Sequence, residues 1–402
     1  MREDFVLINV RPNGEAAKDI VIRDGCFAEI VAHGARSFEE MREVDGEGLL
    51  MLPGLVDAHT HLDKTLLGMP WYRNDVGLEL IDLIENERRM KRELGIDPER
   101  QSAAQIERSV AHGTTHIRTH VDIDTEYGLA GLEGVLASRE RYRDLVDIQI
   151  VAFPQSGMLI RPGTVELMDR AMRDGADVVG GLDPSGVDRD PKGHLDTVFA
   201  LAERYGKPVD IHLHEPDSLG VFAIELIVER TKALGMANRV TVSHGFCLGM
   251  LADKPLARLG GMMAEAGVHL MTKGGAASPR PPVLDLTEMG VNICSGCDGV
   301  RDTWQPFGNA DMLDRAAIVS QRNDFINDAH IELALRLCTY GGAKMMDIDG
   351  YGLSAGCEAS FVLVRAETPA DAVASRPVRR AVYRKGIPVA RDGALVAAGG
   401  KR

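Results

Sequence analysis

Gly54-Leu55-Val56-Asp57-Ala58-His59-Thr60-His61 joins an apolar run to two imidazoles spaced two residues apart. On an extended chain, residues i and i+2 point to the same side. Both rings can therefore face one point where the strand ends. Seven similar apolar runs follow: Thr114 to Thr119, Ile148 to Phe153, Asp177 to Gly181, Pro208 to His212, Val240 to His244, Val268 to Met271 and Val291 to Cys294. Helix-period segments such as Leu195 to Tyr205 and Ala223 to Leu234 separate them. Buried strands alternating with helices imply parallel pairing. Eight such units close a (β/α)8 barrel, whose chemistry gathers at the C-terminal mouth of the strands.

The two ends of the chain read differently. Phe5 to Val10, Ile20 to Ile22 and Phe27 to Val31 are short strands separated by turn signals, as are Phe361 to Val364, Ala381 to Tyr383 and Ile387 to Val389. Antiparallel pairing is expected for them. The expected fold is thus α/β: a TIM-type (β/α)8 barrel over residues 53–349, with a small β-sandwich domain built from 1–52 and 350–402.

Composition narrows the function classes. The 402 residues carry 46 Lys and Arg against 60 Asp and Glu, a formal charge of −14. A nucleic-acid partner needs a basic surface to displace counterions, and an anionic membrane surface needs the same. Neither partner is expected. No stretch of 18 consecutive apolar residues is present to span a bilayer. The opening Met1-Arg2-Glu3-Asp4-Phe5-Val6-Leu7 lacks the basic-then-apolar order of a signal peptide. With six cysteines only, reduced thiols in a cytoplasm are expected. Cys294-Ser295-Gly296-Cys297 has no second pair to complete a zinc ribbon and lies in a strand, not at a helix start.

The chemistry-bearing residues stand at strand ends. His212 closes the fifth run, His244 the sixth, and Asp298 follows the eighth. Imidazoles and a carboxylate are donors suited to Zn2+ or Fe2+. A lone histidine at a strand end is commonly a satisfied core group. Five ionisable groups at the same end of four strands are not explained that way.

Together, Leu52 to Lys64, Arg118-Thr119-His120-Val121-Asp122, Val151 to Gly157, Gly175 to Gly180, Ser243-His244 and Pro306-Phe307-Gly308-Asn309 resemble the cytosine deaminase-like branch of the amidohydrolase superfamily. The resemblance covers essentially the whole chain. Asp63-Lys64, His212-Leu213-His214 and Arg301-Asp302-Thr303-Trp304 look closer to members that remove an alkylamine from an s-triazine. It implies one divalent metal on His59, His61, His212 and Asp298, with Glu215 as proton shuttle and His244 holding the attacking water. Gln155 would bond the ring edge, and Lys64, Asp183 and Trp304 would line the pocket. Binuclear relatives carry a carboxylated lysine at the end of strand four, where this chain reads Gly180-Gly181-Leu182-Asp183. Where cytosine deaminase has Asp, this chain has His214 and Gly299.

These residue types suit hydrolysis at a ring carbon. Bound metal brings the pKa of water from 15.7 to about 7. The ring nitrogen and the departing amine each need a proton, which a carboxyl tuned near working pH can supply. The expected protein is a homo-oligomeric, metal-dependent aminohydrolase of a small amino-substituted N-heterocycle, either a cytosine-like pyrimidine or an alkylamino-s-triazine. The alternatives are a cyclic-amide hydrolase that cuts an endocyclic C–N bond and a non-catalytic metal-binding barrel. Glu215 and His244 are superfluous to the last. Glu79 to Leu94 reads as a charged helix over the first loop, and His120 is expected at the pocket rim without touching metal.

Overall fold

The computed structural model describes residues 4–77, 79–275 and 278–396. Eight strands form one sheet in chain order: Leu55–Thr60, Thr114–Asp122, Asp147–Phe153, Val178–Leu182, Val209–Leu213, Val240–His244, Val268–Met271 and Ile293–Cys294. Every neighbouring pair is parallel. They are numbered barrel strands one to eight below. Most of their residues are buried, which is why they read as near-continuous apolar runs.

The sheet closes between strands one and eight. Asp298 N donates to His59 O across 2.7 Å, and Ala58 N to Ser295 O across 3.2 Å. Thr60 Oγ1 adds a bond to Asp298 O at 2.9 Å. Gly296 makes this approach possible, because a Cβ there would stand 2.4 Å from the His59 backbone. That requirement accounts for the glycine within the Cys294 to Cys297 segment, whose two thiols are free and buried.

Helices wrap the barrel and start where the sequence caps them. Asp97 accepts from the amides of Glu99 and Arg100, with Pro98 in the first turn. Asp190 caps Pro191–Tyr205 through Gly193 N, again with proline in the first turn. Such caps satisfy amides that have no partner within the helix.

The chain ends form a second, nine-stranded sheet. Its main path runs Ala394–Leu395, Ile387–Arg391, Arg379–Arg384, Phe361–Val364, Leu50–Pro53, Phe5–Pro12, Lys18–Arg23, Cys26–Ala32. Antiparallel pairing prevails, but Phe5–Pro12 runs parallel to Leu50–Pro53 and to Arg42–Asp45, unlike the all-antiparallel expectation. The excursion through residues 13–49 lays Lys18–Arg23 along one edge of the first strand and brings Leu50–Pro53 back along the other. Strand alternation divides the apolar residues. Phe361, Leu363 and Met51 pack with Phe5, Phe27 and Tyr383 inside the sheet's own core. Val362, Val364, Leu50 and Leu52 face the other way, into the large cluster shared with the barrel. Among the described residues, no helix is long and apolar enough to cross a membrane.

Candidate metal centre and active site

The C-terminal mouth of the barrel gathers the expected histidines. His59 lies near the end of strand one and His61 just beyond it. The His59 and His212 ring centroids are 4.6 Å apart, those of His61 and His212 5.6 Å, and those of His59 and His244 5.1 Å. Asp298 Oδ1 lies 3.3 Å from His61 Nε2 and 3.7 Å from His59 Nε2. Nitrogens of His59, His61 and His212 come within 4.8 Å of one another.

These groups are buried and under-bonded. His59 Nε2, His61 Nδ1 and both nitrogens of His212 have no hydrogen-bond partner. Burial holds His59 and His212 well below the usual imidazole pKa, and the neighbouring imidazoles add to the effect. Both therefore stay neutral and keep a lone pair. Burial opposes ionisation of Asp298, but the Lys273 ammonium at 2.6 Å overcomes it and holds the carboxyl well below its usual range. Clustered neutral imidazoles beside an anionic carboxylate, with unpartnered nitrogens, fit a divalent cation. The cluster is a His/Asp metal-binding site.

Glu215 lies two residues past strand five. Its Oε1 accepts from Ser185 N at 2.6 Å and Gly186 N at 2.7 Å, while Oε2 is buried without a partner. Burial lifts this carboxyl to about 7, with the Asp183 charge adding to it and the two amides opposing. Asp183 spends both oxygens on strand five's exit: Oδ1 accepts from His214 N, and Oδ2 meets His214 Nδ1 at 2.7 Å. The His214 ring stacks on His244 at 4.6 Å. Asp183, His244 and Asp298 have φ values of 34°, 73° and 58°. Three strand exits thus hold non-glycine residues in the left-handed region, a strain typical of functional sites.

Lys64 is saturated. Its ammonium donates to Glu87 Oε1 at 3.1 Å, Asp122 Oδ1 at 3.1 Å and Gln155 Oε1 at 3.0 Å. An ammonium has three N–H bonds, so Lys64 positions Gln155 and has no donor left for a ligand. The Gln155 oxygen is pinned, and its Nε2 has no acceptor among the described residues. Trp304 Nε1 donates to Glu87 Oε2 at 2.5 Å. Burial works against the Asp122 carboxylate, but Lys64 and Lys91 overcome it and lower its pKa.

Several contributors are absent from the sequence reading. Lys273 follows strand seven by two residues, so its place at a strand exit was the available signal. Glu87 and Lys91 come from the helix Leu80–Glu93 and point inward, not into solvent. His120 does not sit at the rim. Strand two extends to Asp122, so residue 120 is inside the barrel, fully buried, with its ring 3.9 Å from that of His59.

Comparison with known proteins agrees with this geometry. Residues 42–390 match the amidohydrolase family. N-isopropylammelide isopropyl amidohydrolase of Pseudomonas sp. (strain ADP) is 32% identical over 409 residues, covering 99% of this chain and 100% of that protein. The crystal structure of N-isopropylammelide isopropylaminohydrolase from Burkholderia multivorans is 48% identical, covers 98% of this chain and 100% of that one, and superposes with a TM-score of 0.95. The 5-methylcytosine deaminase of Klebsiella pneumoniae, liganded with 5-fluorocytosine, is 28% identical with a TM-score of 0.85, covering 96% and 97% of the two chains. This chain belongs to the amidohydrolase family, as a metal-dependent hydrolase of C–N bonds.

Proposed function

We propose that this protein uses one divalent cation, Zn2+ or Fe2+, to hydrolyse the exocyclic C–N bond of a small amino-substituted N-heterocycle. An alkylamino-s-triazine is the favoured substrate, because the 48% identical structure is that of an N-isopropylammelide hydrolase. The observation that carries the reading is the gathering of His59, His61 and His212, with buried nitrogens left unpartnered, beside the Asp298 carboxylate, together with the free Glu215 oxygen at the exit of strand five.

His59, His61, His212 and Asp298 would hold the cation, which supplies a nucleophilic water at neutral pH. Asp298 is anionic and can take that water's proton. His244 stands beside the set and can hydrogen-bond the oxygen as charge develops. Glu215, held near pKa 7, can give its proton to the ring nitrogen, take up the hydroxyl proton released as the oxo group forms and pass it to the leaving amine; the proton taken by Asp298 would then restore Glu215. Gln155 keeps its amide N–H groups without an acceptor among the described residues, which suits ring edges that carry acceptors such as oxo groups.

The test is metal analysis together with amine or ammonia release from alkylamino-s-triazines, pyrimidines and pterins. About one metal per chain and amine release are expected. Ring opening without amine release would favour the cyclic-amide alternative. Metal without turnover on any such ring would sink the assignment.

A further inference from the structure

Arg118, Asp210 and Ser243, on strands two, five and six, lie fully buried behind the His59 ring. Arg118 Nη1 donates to Asp210 Oδ2 at 3.0 Å. Ser243 Oγ donates to Asp210 Oδ1 at 2.6 Å. A serine hydroxyl has one proton, and a carboxylate only accepts. The Ser243 proton is therefore committed to Asp210. In the 3.1 Å contact between Ser243 Oγ and His59 Nδ1, the imidazole must be the donor. His59 is thereby fixed with its proton on Nδ1. Its Nε2 keeps a lone pair, has no hydrogen-bond partner and lies 3.7 Å from Asp298 Oδ1.

His59, His120 and Asp210 also bring nitrogen and oxygen atoms within 4.8 Å of one another. Asp210 has both oxygens engaged by Arg118 and Ser243, so in that grouping it is an anchor and not a ligand.

We infer that Arg118, Asp210 and Ser243 form a positioning relay that sets the tautomer and aim of His59 and so tunes the affinity of the site for its cation. The inference rests on the proposed role of His59 as a ligand. None of the three touches the reacting atoms. Arg118 balances the Asp210 charge, and Ser243 passes its pull to the imidazole. Removing such an outer partner of a ligating histidine costs about 10–100-fold in metal affinity.

The test measures the Zn2+ dissociation constant of metal-free protein by competition with a chromophoric chelator. Ser243→Ala should bind zinc about 10–100-fold more weakly. Ser243→Thr, which keeps the hydroxyl, should restore most of the affinity. Ser243→Cys, whose sulfur accepts poorly, should fall between them, and it carries the test if the alanine variant does not fold. The thermal midpoint of the metal-free protein should not follow this order, which separates positioning from general packing. Equal affinity in wild type and Ser243→Ala would overturn the relay and leave the metal assignment standing. A wild type that binds no zinc or iron would overturn both.

Discussion

The Lys64 ammonium donates to Gln155 Oε1 across 3.0 Å, and this bond fixes which end of the amide is held and which is left free. A flipped amide would set its own N–H groups against the ammonium. Gln155→Leu should therefore raise KM about tenfold while kcat changes little, since one hydrogen bond is worth ~0.5–1.5 kcal/mol and would hold substrate and transition state alike. Steady-state kinetics on the best substrate checks this, and an unchanged KM would remove Gln155 from recognition.

Lys64 itself should matter to the fold. Lys64→Met strands Asp122 and Glu87, both almost fully buried, with one cation fewer. Breaking a buried pair from one side costs about 3–5 kcal/mol. Denaturant unfolding should show a loss of that order. A loss below ~1 kcal/mol, the range of exposed pairs, would contradict the burial of this network.

Glu215→Gln should keep its metal and lose at least ~10²-fold in kcat, the usual worth of acid–base catalysis. The wild type needs the protonated carboxyl to deliver the ring proton. Its rate should therefore fall as pH rises through about 7. A pH–rate profile that keeps its basic limb in the glutamine variant would assign that limb to another group.

Glu87 gives a stability test. Burial lifts its carboxyl from 4.5 to about 8, against the pull of Lys64. The folded state thus holds the proton more tightly than the unfolded chain. This contribution is complete below 4.5 and drains away as pH climbs to about 8. Across that window the wild type should lose thermal midpoint relative to Glu87→Gln. Parallel pH curves for the two proteins would show that Glu87 does not titrate there.

Much of this architecture is legible in the amino-acid order. Barrel strands covered on both faces leave apolar runs that stand out between helices, and His59, His61, His212, His244 and Asp298 fall at their ends. Residues that act from inside the barrel are harder to see. His120 and Asp122 extend strand two beyond the point where its apolar run fades at Thr119, and Arg118 just before that point and Asp122 beyond it answer polar partners brought in from elsewhere in the chain. Glu87 and Lys91 look like the wet side of a charged helix, yet face inward to Asp122 and Lys64. Their pairing is a tertiary fact with no local signature. Ser243 carries no signal of its own, since its role depends on Asp210 and His59 arriving from other strands.

The seam between strands one and eight has a consequence for the life of the molecule. Thr60 and Asp298 meet there although they lie 238 positions apart along the chain. A ribosome must therefore release the chain as far as residue 298 before the full donor set exists. A nascent chain that stops before strand eight already carries His59, His61 and His212 but lacks the Asp298 carboxylate and the strand that closes the barrel. A product truncated before strand eight would therefore keep its imidazoles but lose both the anionic donor and the seam that holds strand one in place.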